Sequence, residues 1–142
     1  NKDMTDEEMI KIAKVAQSYD FIDSLPDKFD SFVAQGGTNF SGGQKQRISI
    51  ARALSKEANI YLFDDSFSAL DYATDAKLRK ELKTFLKDKI TIIIAQRLNT
   101  IVDADKIIVL KDSEIIGMGT HQELLENNQE YIELAKSQGI LE

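Results

Sequence analysis

The chain has 142 residues, 42% hydrophobic and 30% charged, which suits a folded domain with its own core rather than a disordered segment. Eighteen basic against 24 acidic side chains leave a formal net charge of −6, and an acidic surface repels phosphate backbones, so nucleic acid is not the expected partner. With no cysteine and a single histidine, His121, disulfides, thiolate metal sites and multi-histidine metal sites are excluded.

No apolar run approaches the roughly 20 residues that a membrane-spanning helix needs, and no signal peptide is visible in the polar, acidic N-terminal stretch. The chain starts at Asn1 rather than at methionine, so further sequence is expected upstream. Met9, Ile12, Ala13 and Ala16 recur at helical spacing, and Thr5 with Glu8 has the form of a capping box. Pro26 breaks this first helical zone, and Gly36-Gly37 predicts a flexible turn. A helix is expected over 41–56 and a buried strand over 59–63, ending in Asp64-Asp65. Another helix over 72–86 places Leu78, Leu82, Phe85 and Leu86 on one face. Residues 91–95 read as a second buried strand, apolar throughout as parallel strands are, and 106–110 as a third. Asp112-Ser113 turns that strand back into Glu114-Ile-Ile-Gly117, and Thr120 with Glu123 opens a helical tail through a further capping box.

This order predicts an α/β fold with a mainly parallel sheet, a C-terminal hairpin and a helical tail, with ligands beyond the C-terminal ends of the strands. Two zones divide it. Residues 1–40 read as part of a helical subdomain, and 41–142 as a helix followed by an α/β core.

Four short segments carry candidate chemistry. Ser41-Gly42-Gly43-Gln44 fits a capping box, yet two glycines after a cap each cost about 1 kcal/mol in a helix. They make sense if a ligand must approach the backbone, and a bare helix start attracts phosphate through its N–H groups and dipole. Asp64-Asp65 at a strand end suits Mg²⁺ shared with substrate phosphates, although an isolated acid pair is more often a cap or a solvated pair. Ser68-Ala-Leu-Asp71 reads as a helix cap. Gln96-Arg97 reads as a polar strand end, since Gln96 has no titratable proton. His121, inside the Thr120–Glu123 box, is expected to be solvated rather than catalytic.

In combination these segments are far more specific. Phe40-Ser-Gly-Gly-Gln-Lys-Gln-Arg47 closely resembles the signature loop of ABC-family ATPases, and Ile60-Tyr-Leu-Phe-Asp-Asp65 resembles their Walker B strand. Ser68-Ala-Leu-Asp71 matches the D-loop, and Ala95-Gln-Arg-Leu-Asn99 falls where the switch loop lies. Ser31-Phe-Val-Ala-Gln-Gly-Gly37 sits where exporters place the X-loop that faces the membrane domains, and Gly119-Thr-His-Gln-Glu-Leu-Leu125 resembles the exporter ending. No Gly-Lys-Ser or Gly-Lys-Thr occurs, so the phosphate-cradling P-loop, the adenine-stacking aromatic and the Q-loop are expected upstream.

The resemblance implies the C-terminal portion of an exporter-type nucleotide-binding domain, a partial P-loop NTPase fold. ATP and Mg²⁺ would be its ligands, and the parent would use ATP binding and hydrolysis to drive export. Asp64 would hold Mg²⁺. Asp65 stands where the family has a water-polarising glutamate, and Gln96 where it has a switch histidine. Both departures are typical of the degenerate site in heterodimeric multidrug exporters. Ser41, Gly42, Gly43 and Gln44 would complete the ATP site of a second nucleotide-binding domain, Asp71 would touch that partner, and residues 31–37 would meet transmembrane domains. The parent would work at the cytoplasmic face of the membrane, with this portion soluble and inactive in isolation. Stripped of upstream sheet neighbours, the strands would expose edges and apolar surface.

Three other readings compete with this one. A non-transport ABC ATPase of DNA repair or chromosomes is disfavoured by the charge, the exporter-like ending and the lack of heptads beside the signature. An inactive interaction module differs only in what the parent does. A phospho-acceptor domain around Asp64-Asp65 lacks the third acid and the lysine.

Overall fold

In the computed structural model, which describes residues 3–141, a Thr5–Glu8 capping box opens the first helix, α1 (Asp6–Val15). The Thr5 hydroxyl accepts the Glu8 N–H, and the Glu8 carboxylate accepts the Thr5 N–H at 2.8 Å. A short helix α2 (Tyr19–Asp23) and two 3-10 turns, Lys28–Asp30 and Gln35–Gly37, lead to α3 (Gly42–Leu54). Strand β1 (Ile60–Asp64), helix α4 (Tyr72–Phe85) and strand β2 (Ile90–Ile94) follow, and β1 pairs in parallel with β2 from Ile60↔Ile90 to Asp64↔Ile94. This β–α–β unit is what the apolar runs and the intervening helical period predict.

These elements make up one compact unit, Asn1–Ile94. Its core brings Ile12, Val15 and Ala16 of the first helical stretch onto Ile50 and Leu54 of α3, Tyr61 and Phe63 of β1, and Leu78 and Leu82 of α4. Burying side chains of this size is worth about 1.5–3 kcal/mol each. Phe67 and Leu70 join the core from the loop after β1, so that loop is anchored at its centre and its far end. The Tyr61 hydroxyl donates to the Lys56 carbonyl at 2.8 Å, which satisfies the polar tip of a buried ring.

The two strands differ from their expectation as fully buried. Along β1 only Tyr61 and Phe63 face the core, whereas Ile60 and Leu62 are 57% and 63% exposed. On β2, Ile90, Ile92 and Ile94 are likewise exposed, and only Ile93 packs against the core. The reason is the two-residue period of a strand. Helices of this unit cover one face, so alternate apolar side chains on the other face have nothing to bury against.

The second unit, Ala95–Glu142, contains a 3-10 turn at Leu98–Thr100, an antiparallel hairpin and two helices. In the hairpin, β3 (Ile107–Lys111) pairs with β4 (Glu114–Gly119), with an irregularity between Val109 and Leu110. Asp112 and Ser113 form its two-residue turn, with φ of 50° and 65°, the left-handed pair that matches strand twist in a tight hairpin. Helices α5 (His121–Asn127) and α6 (Gln129–Ser137) pack Leu124, Tyr131 and Ala135 onto Leu98 and Ile107. Asn128 ties tail to hairpin by donating to the Ile116 carbonyl at 2.8 Å while it caps α6.

The architecture is thus α/β, with one parallel and one antiparallel pair among the described residues.

Candidate functional site

The site grows from the start of α3. Ser41 is extended, with φ −65° and ψ 162°, and its hydroxyl accepts the Gln44 N–H at 3.2 Å. The Gln44 side-chain oxygen accepts the Ser41 N–H at 2.9 Å, closing a capping box. Behind that box, the first turn supplies no intrahelical acceptor for the N–H groups of Gly42 and Gly43. No acidic side chain lies in that turn, so the positive end of the helix dipole is left uncompensated by local charge. Ser41 and Gly42 are exposed, and Gly43 and Gln44 half-buried.

Gly43 has a structural reason of its own. A Cβ there would stand 3.0 Å from the Ala69 carbonyl oxygen, tighter than ordinary packing tolerates. The loop after β1 lies directly against the first turn of α3, and glycine is what lets the two backbones meet.

That loop begins with the acids. Asp64 closes β1 and Asp65 follows it, both with exposed side chains. Asp65 takes a left-handed backbone, φ 48°, which aspartate tolerates better than most residues. Its N–H donates to the Ile94 carbonyl at 3.0 Å, so the end of β2 holds it in place. Downstream, Asp71 caps α4, its carboxylate accepting the Thr74 N–H at 2.9 Å and the Thr74 hydroxyl at 2.7 Å. The Thr74 backbone N–H, then its hydroxyl, hold the Asp71 carboxyl below its usual range.

Two residues that sequence reasoning passed over bind these parts together. Gln46 reaches across from α3. Its amide nitrogen donates to the Asp65 carbonyl at 3.2 Å and to the Ser68 hydroxyl at 3.0 Å, and its amide oxygen accepts the Ala69 N–H at 2.9 Å. Arg47 faces the other way. It donates to the Gln17 carbonyl at 2.7 Å, and its guanidinium lies 4.9 Å from the centre of the Phe21 ring. Burial lowers its pKa from the ordinary value, while Asp71 and Asp20 act in the opposite sense. The first turns of α3 are therefore fixed to the α1–α2 region on one side and to the acid-bearing loop on the other. The contacts span sequence separations of 19–30 residues, which no local pattern reveals.

Residues 31–37 form an exposed loop with Phe32 at 80% and Val33 at 57% exposure. The Asn39 side chain shapes it, donating to the Phe32 carbonyl at 2.9 Å and accepting the Ala34 N–H at 3.1 Å. Gly36 and Gly37 both take positive φ, 67° and 62°, so the expected turn is a defined left-handed one.

Gln96 belongs to the second unit. Its side chain is exposed, and its carbonyl accepts from Gln138 at 2.8 Å. The same Gln138 amide accepts the Leu98 N–H at 2.9 Å, so the α6 end holds the loop that carries Gln96. His121 is not simply solvated as expected. It is half-buried, with Nδ1 2.8 Å from the Tyr131 hydroxyl and the two rings edge to face. A buried Tyr131 needs a partner for its hydroxyl, and the helix turn from α5 to α6 brings His121 to it.

The structure thus gathers Ser41, Gly42, Gly43, Gln44, Asp64, Asp65 and Asp71 within one unit around the α3 start and the loop after β1. Comparison with known proteins gives this arrangement its class. A sequence model of the ABC transporter family matches residues 1–68. A Staphylococcus aureus protein named as a multidrug export ATP-binding/permease protein is 42% identical over 136 residues, 96% of this chain and 24% of that protein. An ABC transporter ATP-binding protein of Bacillus subtilis is 47% identical over 93% of this chain and 23% of its own length. The solved structure of a bacterial Atm1-family ABC exporter with ATP bound matches with a TM-score of 0.91 and 38% identity, over 95% of this chain and 24% of that one. The chain belongs to the ABC transporter family. It spans about a quarter of the length of these relatives.

Proposed function

We propose that this chain is part of the ATP-binding domain of an ABC exporter and serves two nucleotide sites unequally. The observation that carries the proposal is the start of α3: a capped helix with two glycines, exposed at Ser41 and Gly42 and free of acidic neighbours in its first turn. Such a helix end offers backbone N–H groups, a hydroxyl and a positive dipole to a phosphate. Ser41, Gly42, Gly43 and Gln44 would grip the terminal phosphate of an ATP held by a second nucleotide-binding domain. Electrostatic positioning of this kind is the main work of phosphoryl-transfer catalysis.

The other site would be served by Asp64 and Asp65. Asp64 and Asp65 leave β1 with exposed carboxylates, and no cluster of three or more metal-binding side chains exists among the described residues. Magnesium held by one or two carboxylates and substrate phosphates needs no such cluster, so this donor set fits Mg²⁺. When bound, Mg²⁺ would neutralise phosphate charge. Asp65 would stand at the water-polarising position with a side chain one methylene too short, and Gln96, by its place in the sequence, at the switch position without a titratable group. The site would retain ATP and turn it over slowly. Asp71 would meet the partner domain, and the exposed Phe32 and Val33 support contact of the 31–37 loop with transmembrane domains. No helix among the described residues is long and apolar enough to cross a membrane. A chain without a P-loop sequence would not hydrolyse ATP in isolation.

The test is asymmetric. In the full-length transporter, Ser41→Arg removes most turnover, a loss of roughly a hundredfold on the scale of one lost oxyanion-type donor. Asp65→Ala costs less than about threefold, because a carboxylate that misses the reacting water supplies little to lose. Equal losses from the two variants, measured as steady-state ATP hydrolysis, would sink the split assignment.

A further inference from the structure

Gln46 touches neither Ser41 nor the acids' side chains, yet it sits between the residues assigned to the two nucleotide sites. It is half-buried on α3, just beyond Gln44. Its single amide satisfies three groups of the loop after β1: the Asp65 carbonyl, the Ser68 hydroxyl and the Ala69 N–H. The Ser68 hydroxyl in turn donates to the same Asp65 carbonyl at 3.0 Å. Close packing reinforces the link, because a Cβ at Gly43 would stand only 3.0 Å from the Ala69 carbonyl oxygen. The loop has little independent freedom, since Phe67 and Leu70 are buried in the core and the Asp65 N–H is held by β2.

From this we infer that Gln46 is a positioning residue that couples the two nucleotide sites, making the α3 start and the Asp65–Asp71 loop move as one body. The inference rests on the assignment of the α3 start to a partner's ATP and of the loop to the chain's own. A displacement of Asp65 on one side would be delivered through one rigid amide to the glycine turn on the other. Gln46 meets no nucleotide in this scheme. Its loss should therefore leave nucleotide binding alone and reduce the fraction of time in which the two elements are in place together. The kinetic signature is a fall in kcat with KM unchanged.

The experiment uses the full-length transporter with Mg-ATP and three variants. Gln46→Ala removes all three contacts. Gln46→Glu keeps the size and the acceptor for the Ala69 N–H but sets a carboxylate against the Asp65 carbonyl. Ser41→Arg is the reference. Both Gln46 variants are expected to lower kcat roughly ten- to a hundredfold, the cost of a small misplacement of reacting groups. KM for Mg-ATP should stay within about twofold of wild type, as for an interaction made only on the way to the transition state. Gln46→Glu keeps one of the three contacts and should fold with only a small fall in the thermal unfolding midpoint, so a Gln46→Ala protein that fails to fold leaves the decision with the isosteric variant. Wild-type kcat in Gln46→Glu overturns the coupling role, as does a loss of kcat that comes with a raised KM and a strongly lowered midpoint. If Ser41→Arg is inactive while Gln46→Glu is not, the coupling alone fails. If Ser41→Arg retains turnover, the two-site assignment fails and the coupling falls with it.

Discussion

Two helix starts in this chain share one local design and differ in one charge. At α3, Ser41 and Gln44 exchange hydrogen bonds across the cap, and at α5, Thr120 and Glu123 do the same. The geometry is alike, with extended cap residues and the reciprocal bond at 2.9 Å in one and 2.8 Å in the other. At α5 the capping side chain is a carboxylate, which already answers the helix dipole and repels any second anion. At α3 it is a neutral amide followed by no acid in the first turn, so the dipole remains available. α1 repeats the acidic design, with Glu8 in the box and Asp6 and Glu7 beside it. At each of the three helices the box satisfies the N–H of the cap residue and of the third helical residue, and leaves those between them without an intrahelical partner. The choice of glutamine over glutamate leaves the α3 start alone among these three without a carboxylate in its first turn.

Exchanging the two chemistries is the strongest way to break this comparison. Gln44→Glu preserves the capping box and should leave the unfolding midpoint unchanged or raised. It places a negative charge beside the proposed phosphate position, where repulsion at about 4 Å is worth ~1 kcal/mol in water and ~4 kcal/mol near a protein surface. Turnover of the full-length transporter should fall by roughly tenfold or more on that basis. The reverse exchange, Glu123→Gln, should leave turnover as it is. Steady-state ATP hydrolysis by the pair decides the matter: equal activity in both variants would mean that charge at the α3 start is irrelevant.

A smaller effect is expected from Gly43→Ala. Alanine in a helix is favoured over glycine by about 1 kcal/mol. Here the new methyl would meet the Ala69 carbonyl oxygen at 3.0 Å, and that atom belongs to a loop pinned by Gln46, Phe67 and Leu70. The steric cost should cancel the propensity gain, so chemical denaturation should show no stabilisation. Turnover should fall several-fold as the loop is pushed from the helix. A clear gain in stability with unchanged turnover would show that the glycine is not needed for the approach.

What was legible in the sequence follows from the range of each signal. The three capping boxes occupy four residues apiece and are written locally, as is the Asp112-Ser113 turn. The strands and the α4 face were legible through period and composition. The one-sided burial of β1 and β2 was not. Ile60 and Leu62 are as apolar as Tyr61 and Phe63, and composition alone does not say which face a helix covers. The clamps made by Gln46, Arg47 and Gln138 escaped the sequence because each joins residues remote along the chain. The same holds for His121, whose partner Tyr131 lies in the next helix. Ser41, Gly42, Gly43, Gln44, Asp64 and Asp65 were named from the ordered motifs that carry the family resemblance, whereas the residue that joins them was visible only in three dimensions.

The smallest effect sharpens the comparison through acid. Hydrogen bonds from the backbone N–H and then the hydroxyl of Thr120 lower the Glu123 pKa below its usual 4.5, and those of Thr5 do the same for Glu8. A carboxylate whose folded pKa is depressed binds protons more readily in the unfolded chain. Its stabilisation is fully present above the unfolded value, near 4.5, and is lost as pH falls through the lower folded value. The Ser41–Gln44 box has no titrating group and keeps its bonds throughout. Stability of the chain, followed by denaturant titration between about pH 6 and pH 3, should therefore fall less steeply in a Glu8→Gln, Glu123→Gln double variant than in wild type. Introducing Gln44→Glu should add acid sensitivity of the same sign. Both shifts should be small because these carboxylates are open to solvent, and identical acid slopes in all three proteins would show that the caps differ in name only.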